Sequence, residues 1–357
     1  MDPITQGALG AAVVQAVMMR THQKPQQQPK WLTLLGAAGG MAADLDIFIR
    51  SSTDPLLNIV FHRHFTHSLA FIPIGGVLVA LPFLLRRSLR ARWRSTLTAT
   101  TIGYATHALL DAFTTYGTQL SLPFSDYRTA FSLISIIDPL FTLPLLAGVV
   151  LGLKQRHSLW CQLGLLWGVF VLSFGAVQRQ RASSAVEEVA AARGHIVERS
   201  AVFPSFANNI TWRALYQSGG YVYVDAITVP WLSRRCVTTG SRVAIVTHEK
   251  PVGATGQRGL QLMRWFANDW VARSGDNDAI LGDLRYSFRP SDTQPIWGVR
   301  LLDAEGAAIS SHQLGQTRTE TVEWIDRSRS RRVQWSDFAA LFSAGQDANC
   351  GSNLTTP

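Results

Sequence analysis

His62-Arg63-His64-Phe65-Thr66-His67 leads straight into an apolar run, 68–85, that opens Ser68-Leu69-Ala70-Phe71-Ile72. The run reads as a membrane segment, and imidazole or guanidinium at the mouth of such a segment costs free energy unless it has a partner or a task. Further polar groups stand at the edges of other apolar runs: Asp44 and Asp46, His107 and Asp111, and Asp138. Together they read as one metal site distributed over several membrane helices.

The chain has 357 residues, of which 47% are hydrophobic, and its two halves differ. Up to about Gln178 it is a series of long apolar runs. Beyond that point Arg, Asp, Glu, Ser and Thr are scattered through short mixed segments. A membrane half followed by a soluble half accounts for this better than a single globule. The net charge of +9 raises nucleic acid as a partner. The excess sits in short blocks between apolar runs, however, as in Arg86-Arg87-Ser88-Leu89-Arg90-Ala91-Arg92-Trp93-Arg94. That pattern marks the cytoplasmic side of a membrane protein, and no aromatic-basic binding motif accompanies it. Nucleic acid is therefore not expected; membrane lipids are. Cys161, Cys236 and Cys350 are too few and too far apart for a disulfide framework or a cysteine-rich zinc site. No cleavable signal peptide is expected, since the N-terminus lacks a basic region and Gln6 and Gln15 interrupt its apolar stretch.

The apolar runs are 4–19, 31–49, 68–85, 95–113, 131–153 and 158–177. A bilayer span takes about 20 mostly apolar residues, so the last four qualify on length and the first two are marginal. The first, rich in Gly and Ala, suits close helix packing, or a re-entrant or surface helix. The expected fold is a mainly α membrane bundle of about six segments over 1–178, followed by a small α+β soluble domain. The stretch 179–200 reads as a helical connector, 201–344 as the α+β domain and 345–357 as a disordered tail. Within that domain, 212–216 and 221–229 read as strands of a hairpin about Gly219-Gly220. Stretches 242–247 and 296–302 are further strands, and 260–272 reads as a helix with Leu262, Phe266 and Trp270 along one face.

Arg20, Lys24, Lys30, the five arginines from Arg86 to Arg94, Lys154 and Arg156 fall on one side of such a bundle. The other side has only Arg50, Arg63, Arg128, Arg179 and Arg181. The richer side is cytoplasmic by the positive-inside rule, which puts the C-terminal domain outside the cytoplasm. Asp44, Asp46, His62, His64, His67, His107, Asp111 and Asp138 then all map to the outer face.

His107 and Asp111 are four apart, so a helix puts them on one face, where they share an ion or hydrogen-bond each other. Imidazole and carboxylate are ligands for Zn²⁺ and related divalent ions. His64 and His67 are three apart and also face together on a helix. Asp44 and Asp46 are two apart, which suggests a helix end where one carboxylate binds metal and the other orients a histidine. Each group has a plainer reading: a solvated histidine, a buried structural pair, or for Asp138-Pro139 a helix cap with proline at the first position.

Met1-Asp2-Pro3-Ile4-Thr5, Ala43-Asp44-Leu45-Asp46, His62-Arg63 through Thr66-His67-Ser68, His107-Ala108-Leu109-Leu110-Asp111 and Asp138-Pro139 resemble the YdjM-like family. Its members are bacterial inner-membrane proteins described as metal-dependent hydrolases, some of them regulated by LexA. The likeness covers the membrane half. The C-terminal half is similar to the longer members through Pro204, Asn208, Trp212 and Gly282-Asp283-Leu284-Arg285-Tyr286. Where the family usually has a histidine after the opening Asp-Pro-x-Thr, this chain has Gln6. Either that position lies behind the ligands, or metal affinity is reduced, or His64 substitutes.

The leading expectation is an inner-membrane metal-dependent hydrolase with its site at the outer face. Asp46, His62, His67, His107 and Asp111 are the expected ligands of a divalent ion, zinc first, with Asp44 as general base or as the group orienting a ligand imidazole. Gln6, His64 and Asp138 stand beside them. A lipid-linked ester or phosphoester fits a site at the membrane surface. The rivals are a non-enzymatic envelope or stress-response protein whose His/Asp cluster is structural, and a transporter. No Gly-x-Ser-x-Gly elbow, P-loop or dinucleotide fingerprint is present. A reporter active only outside the cytoplasm is expected to work when fused after Val202 and to be silent when inserted at Arg90; the reverse pattern would overturn the orientation.

Overall fold

A computed structural model of the chain describes residues 1–18, 30–232, 234–246, 251–274 and 279–327. The tail expected to be disordered lies outside them, as do Arg20 and Lys24. The chain forms two compact units. One comprises Met1–Ile49, Phe61–Val177 and Phe206–Asn208; the other comprises Arg50–Val60, Gln178–Ser205 and the chain from Asn209 on.

The N-terminal part is helical: α1 (Pro3–Met18), α2 (Trp31–Ala42), α3 (Leu57–Phe61), α4 (Ile72–Leu84), α5 (Arg87–Arg90), α6 (Trp93–Ala112), α7 (Pro139–Gln155) and α8 (Leu159–Ala192). The expected six membrane segments are not supported. Among the described residues, two helices are long and apolar enough to cross a bilayer, Trp31–Phe48 and Leu159–Ala192. The pair Leu57–His67 and Leu69–Leu84, bent by 62°, makes a third if it is one broken span. Helices α1 and α7 have 16 and 17 residues and rise about 24–26 Å, short of a hydrocarbon core of about 30 Å. Helix α6 has 20 residues but turns Thr96, Thr100, His107 and Asp111 inward, and these polar residues lower its hydropathy.

Small residues bring α1, α2 and α6 together. A Cβ on Gly39 would stand 2.3 Å from the Thr100 carbonyl oxygen, and one on Gly103 would stand 2.2 Å from that of Gly36. Only hydrogen fits where backbones approach so closely, the usual device of helix pairs in lipid. Ala8, Ala12, Leu110, Phe141, Leu145 and Cys161 fill the adjoining core. Helix α7 starts as Asp138-Pro139 suggests: Phe141 N–H donates to Asp138 Oδ1 at 3.1 Å, and proline occupies the first turn.

The last apolar run and the expected connector are one helix, α8. After it come β1 (Arg199–Pro204), β2 (Thr211–Ser218), β3 (Tyr221–Thr228), β4 (Cys236–Thr238) and β5 (Arg242–Ala244), an antiparallel sheet in which β4 and β5 share the same edge of β3. Gly219 and Gly220 make the β2–β3 turn with φ of +57° and +81°, the primed geometry that two-residue hairpins favour. Helix α9 (Ala254–Phe266) precedes β6 (Val271–Ser274), β7 (Ile280–Asp283), β8 (Trp297–Leu302) and β9 (Thr321–Asp326), which form a second antiparallel sheet in chain order. Helix α9 stops before Trp270, against the periodicity, because Asn268 and Asp269 take left-handed φ of +50° and +58°. Trp270, between that turn and β6, is buried.

Gly103→Ala is expected to push α6 from α2 and destabilise the helical unit by about 1–3 kcal/mol or more. Thermal unfolding in detergent beside Gly315→Ala, whose added Cβ meets nothing within 4 Å, measures it; an equal effect of the two would refute the close-contact argument.

Candidate metal centre

Asp44 and Asp46 lie in a 3-10 turn, Ala43–Phe48, that follows α2. At three residues per turn, positions two apart sit about 120° from each other, so both carboxylates reach the same region without being equivalent. His67 closes another short 3-10 turn, Phe65–His67, and His107 and Asp111 project from one face of α6. Arg63 enters the His62–His67 stretch with φ of +62°, rare for a residue with a side chain. That bend lets His62 and His67 both meet Asp46.

Four side-chain atoms converge. His67 Nε2 lies 3.6 Å from Asp44 Oδ1 and 3.3 Å from Asp111 Oδ2; His107 Nε2 lies 3.3 Å and 3.4 Å from the same two oxygens. All four atoms are buried and make no hydrogen bond within the protein. Four tetrahedral donors about 2.0–2.2 Å from a zinc ion stand about 3.3–3.6 Å apart. The group thus has the donors and the spacing to hold a metal ion.

The remaining atoms of these side chains are fixed. His107 Nδ1 donates to the Gly40 carbonyl at 2.5 Å, which leaves the Nε2 lone pair facing the group. His67 Nδ1 lies 3.2 Å from Asp46 Oδ2, with Thr66 Oγ1 3.0 Å away. Thr66 spends its own proton on Asp46 Oδ2, so His67 is also held with Nε2 toward the group. Asp111 Oδ1 accepts from Gln6 Nε2 at 2.9 Å and from the Met1 amino group at 2.5 Å, while Arg63 Nε sits 3.1 Å from Oδ2. Buried carboxylates require this kind of compensation.

The structure therefore brings Asp44, His67, His107 and Asp111 together. Asp46 stands behind them: it takes the Arg63 backbone N–H at 2.9 Å, Thr66 Oγ1 at 2.8 Å and His62 Nδ1 at 2.7 Å. Asp44, Asp46 and His62 also form a second group with metal-ligand spacing. Gln6 lies behind Asp111. The ring of His64 packs edge-on against Phe61 and Phe65, and Asp138 caps α7; neither belongs to either group. Sequence reasoning singled out neither Thr66, Arg63, nor Tyr104, whose hydroxyl donates to the Thr66 carbonyl at 2.7 Å. Thr66 and Arg63 lay in the quoted motif, but nothing in the sequence marks Tyr104.

The profile of the YdjM inner membrane protein family matches residues 1–182, slightly over half of the chain. The uncharacterized protein YfhP of Bacillus subtilis (strain 168) is 31% identical over 117 residues. That match covers 32% of this chain, and the chain spans about a third (34%) of YfhP's length. No solved structure matches the chain.

The two aspartates of Asp44-Leu45-Asp46 are expected to differ in effect. Asp44→Ala removes a donor atom and should abolish stoichiometric metal retention. Asp46→Ala leaves the four converging donor atoms in place but unfastens His67, His62 and Thr66, and should weaken binding about 10–100-fold. Metal titration of the purified variants in detergent measures both, and a stronger loss from Asp46→Ala would reverse the assignment.

Proposed function

This chain is a member of the YdjM inner membrane protein family, and we propose that it is a membrane-bound metal-dependent hydrolase acting on an ester or phosphoester of an amphiphilic, lipid-linked substrate. The observation that carries this reading is the convergence of four buried donor atoms that make no hydrogen bond within the protein. Asp44, His67, His107 and Asp111 hold the ion, and a set of two imidazoles and two carboxylates favours zinc. When bound, such an ion supplies Lewis acidity and lowers the pKa of a water it holds. Asp44 is the member open to solvent, its side chain 22% exposed against 0% for the other three. It is therefore also the carboxylate placed to take a proton from attacking water. His62, tied to Asp46 and 19% exposed, lines the same approach.

The complete burial of His67, His107 and Asp111 favours a second reading, an ion or charge cluster that only braces the helices. The exposure of Asp44 weighs against it, because a bracing ion gains nothing from contact with water.

The site and the C-terminal unit are assigned to the outer side of the inner membrane. Counting the bent pair Leu57–His67 and Leu69–Leu84 as a third span, the Lys and Arg asymmetry supports this side, as does Cys236, which is disulfide-bonded; such bonds persist outside the reducing cytoplasm.

Asp111→Asn separates catalysis from bracing. The amide keeps the shape and can still accept a hydrogen bond but loses the charge that holds a divalent ion. The variant is expected to insert and fold normally while losing metal and hydrolysis of ester and phosphoester lipids together. Wild-type metal content and activity in a well-folded variant would refute the proposal.

A further inference from the structure

From Leu159 to Val177 helix α8 rises about 28 Å, the thickness of a hydrocarbon core, and Leu163, Leu166, Val169, Phe170 and Val177 are exposed along it. Polar residues begin at Gln178, where a bilayer surface would lie. The loop after β3, Pro230-Trp231-Leu232 and on to Arg234-Arg235, is fastened to the helix at that level. Gln178 Nε2 donates to the Val229 carbonyl at 2.7 Å and to that of Asn209 at 3.1 Å. Arg181 Nη1 donates to the Pro230 carbonyl at 2.9 Å, and Arg235 Nη1 donates to the Arg181 carbonyl at 3.2 Å.

This clamp holds the loop beside the end of the apolar helix, yet Trp231 is 51% and Leu232 102% exposed. Trp231 keeps its indole N–H on Asn209 Oδ1 at 3.2 Å, so its polar edge is anchored while about half of the residue stays exposed. Arg179, next to Gln178 on the helix, and Arg234, in the loop, are exposed. An indole with one satisfied edge, a bare leucine and exposed guanidiniums match the chemistry of a bilayer interface bearing anionic headgroups.

We propose that the Trp231–Leu232 loop is an interfacial anchor, seated in the headgroup region of the membrane that α8 crosses. This inference does not depend on the metal centre or on which side of the membrane the loop lies.

The test uses full-length protein carrying Cys161→Ala and either Leu232→Cys or Ala304→Cys, each labelled with an environment-sensitive fluorophore. Both are reconstituted in phosphatidylglycerol-containing vesicles with a quencher near the headgroups. The probe at position 232 is expected to be blue-shifted and quenched several-fold more than the one at the exposed turn position 304. Trp231→Cys gives an independent reading should Leu232→Cys disturb the loop. Equal quenching at 232 and 304, and at 231 and 304, overturns the proposal. So does a blue shift that follows protein concentration in detergent, since that assigns the patch to a second copy of the chain.

Discussion

Three carboxylates, Asp44, Asp46 and Asp111, are gathered inside a helical unit, and most of the surrounding structure answers that concentration of negative charge. An unpaired buried carboxylate costs several kcal/mol. Asp46 is answered by a backbone N–H, a hydroxyl and two imidazoles. Asp111 is answered by Gln6, the Met1 amino group and Arg63. The four atoms facing the common point make no hydrogen bond within the protein, so the cluster has the donors and the spacing to hold a cation.

That requirement constrains the backbone. His107 on α6 can hand its Nδ1 proton to the Gly40 carbonyl only if α2 and α6 nearly touch, and Gly39 and Gly103 permit the contact. The same glycines leave no side chain to grip, so the interface relies on close backbone packing. The polar face of α6 buries its imidazole and carboxylate among neighbouring helices, where partners exist. The helix thus gives up the uniform apolar surface that a lipid-exposed span needs.

The C-terminal unit handles buried charge differently. Arg213, on β2, is buried and pushed down to about 10 by the loss of solvent. It donates to the carbonyls of Leu284, Arg289, Pro290 and Asp292 and so organises the loop between β7 and β8. Arg193 instead meets Asp225 through two hydrogen bonds. Arg193 is thus held by a carboxylate and Arg213 by backbone carbonyls, and both tie the sheets to their neighbouring segments.

The sequence by itself determined the division into an apolar helical half and a mixed β-rich half, the Gly219-Gly220 hairpin and the residue types that meet at the site. Those features depend on local composition, turn chemistry and spacing along one element. Tertiary structure alone decided which of Asp44 and Asp46 faces the other ligands, that Gln6 supports Asp111 from behind, and that His64 packs among phenylalanines. It also decided how many helices can span. An apolar run shows that a segment avoids water, but its length as a straight helix and its share of buried polar groups depend on the neighbours it packs against. The same holds for the site, because a ligand atom is chosen by which lone pair remains after every other polar atom has found a partner.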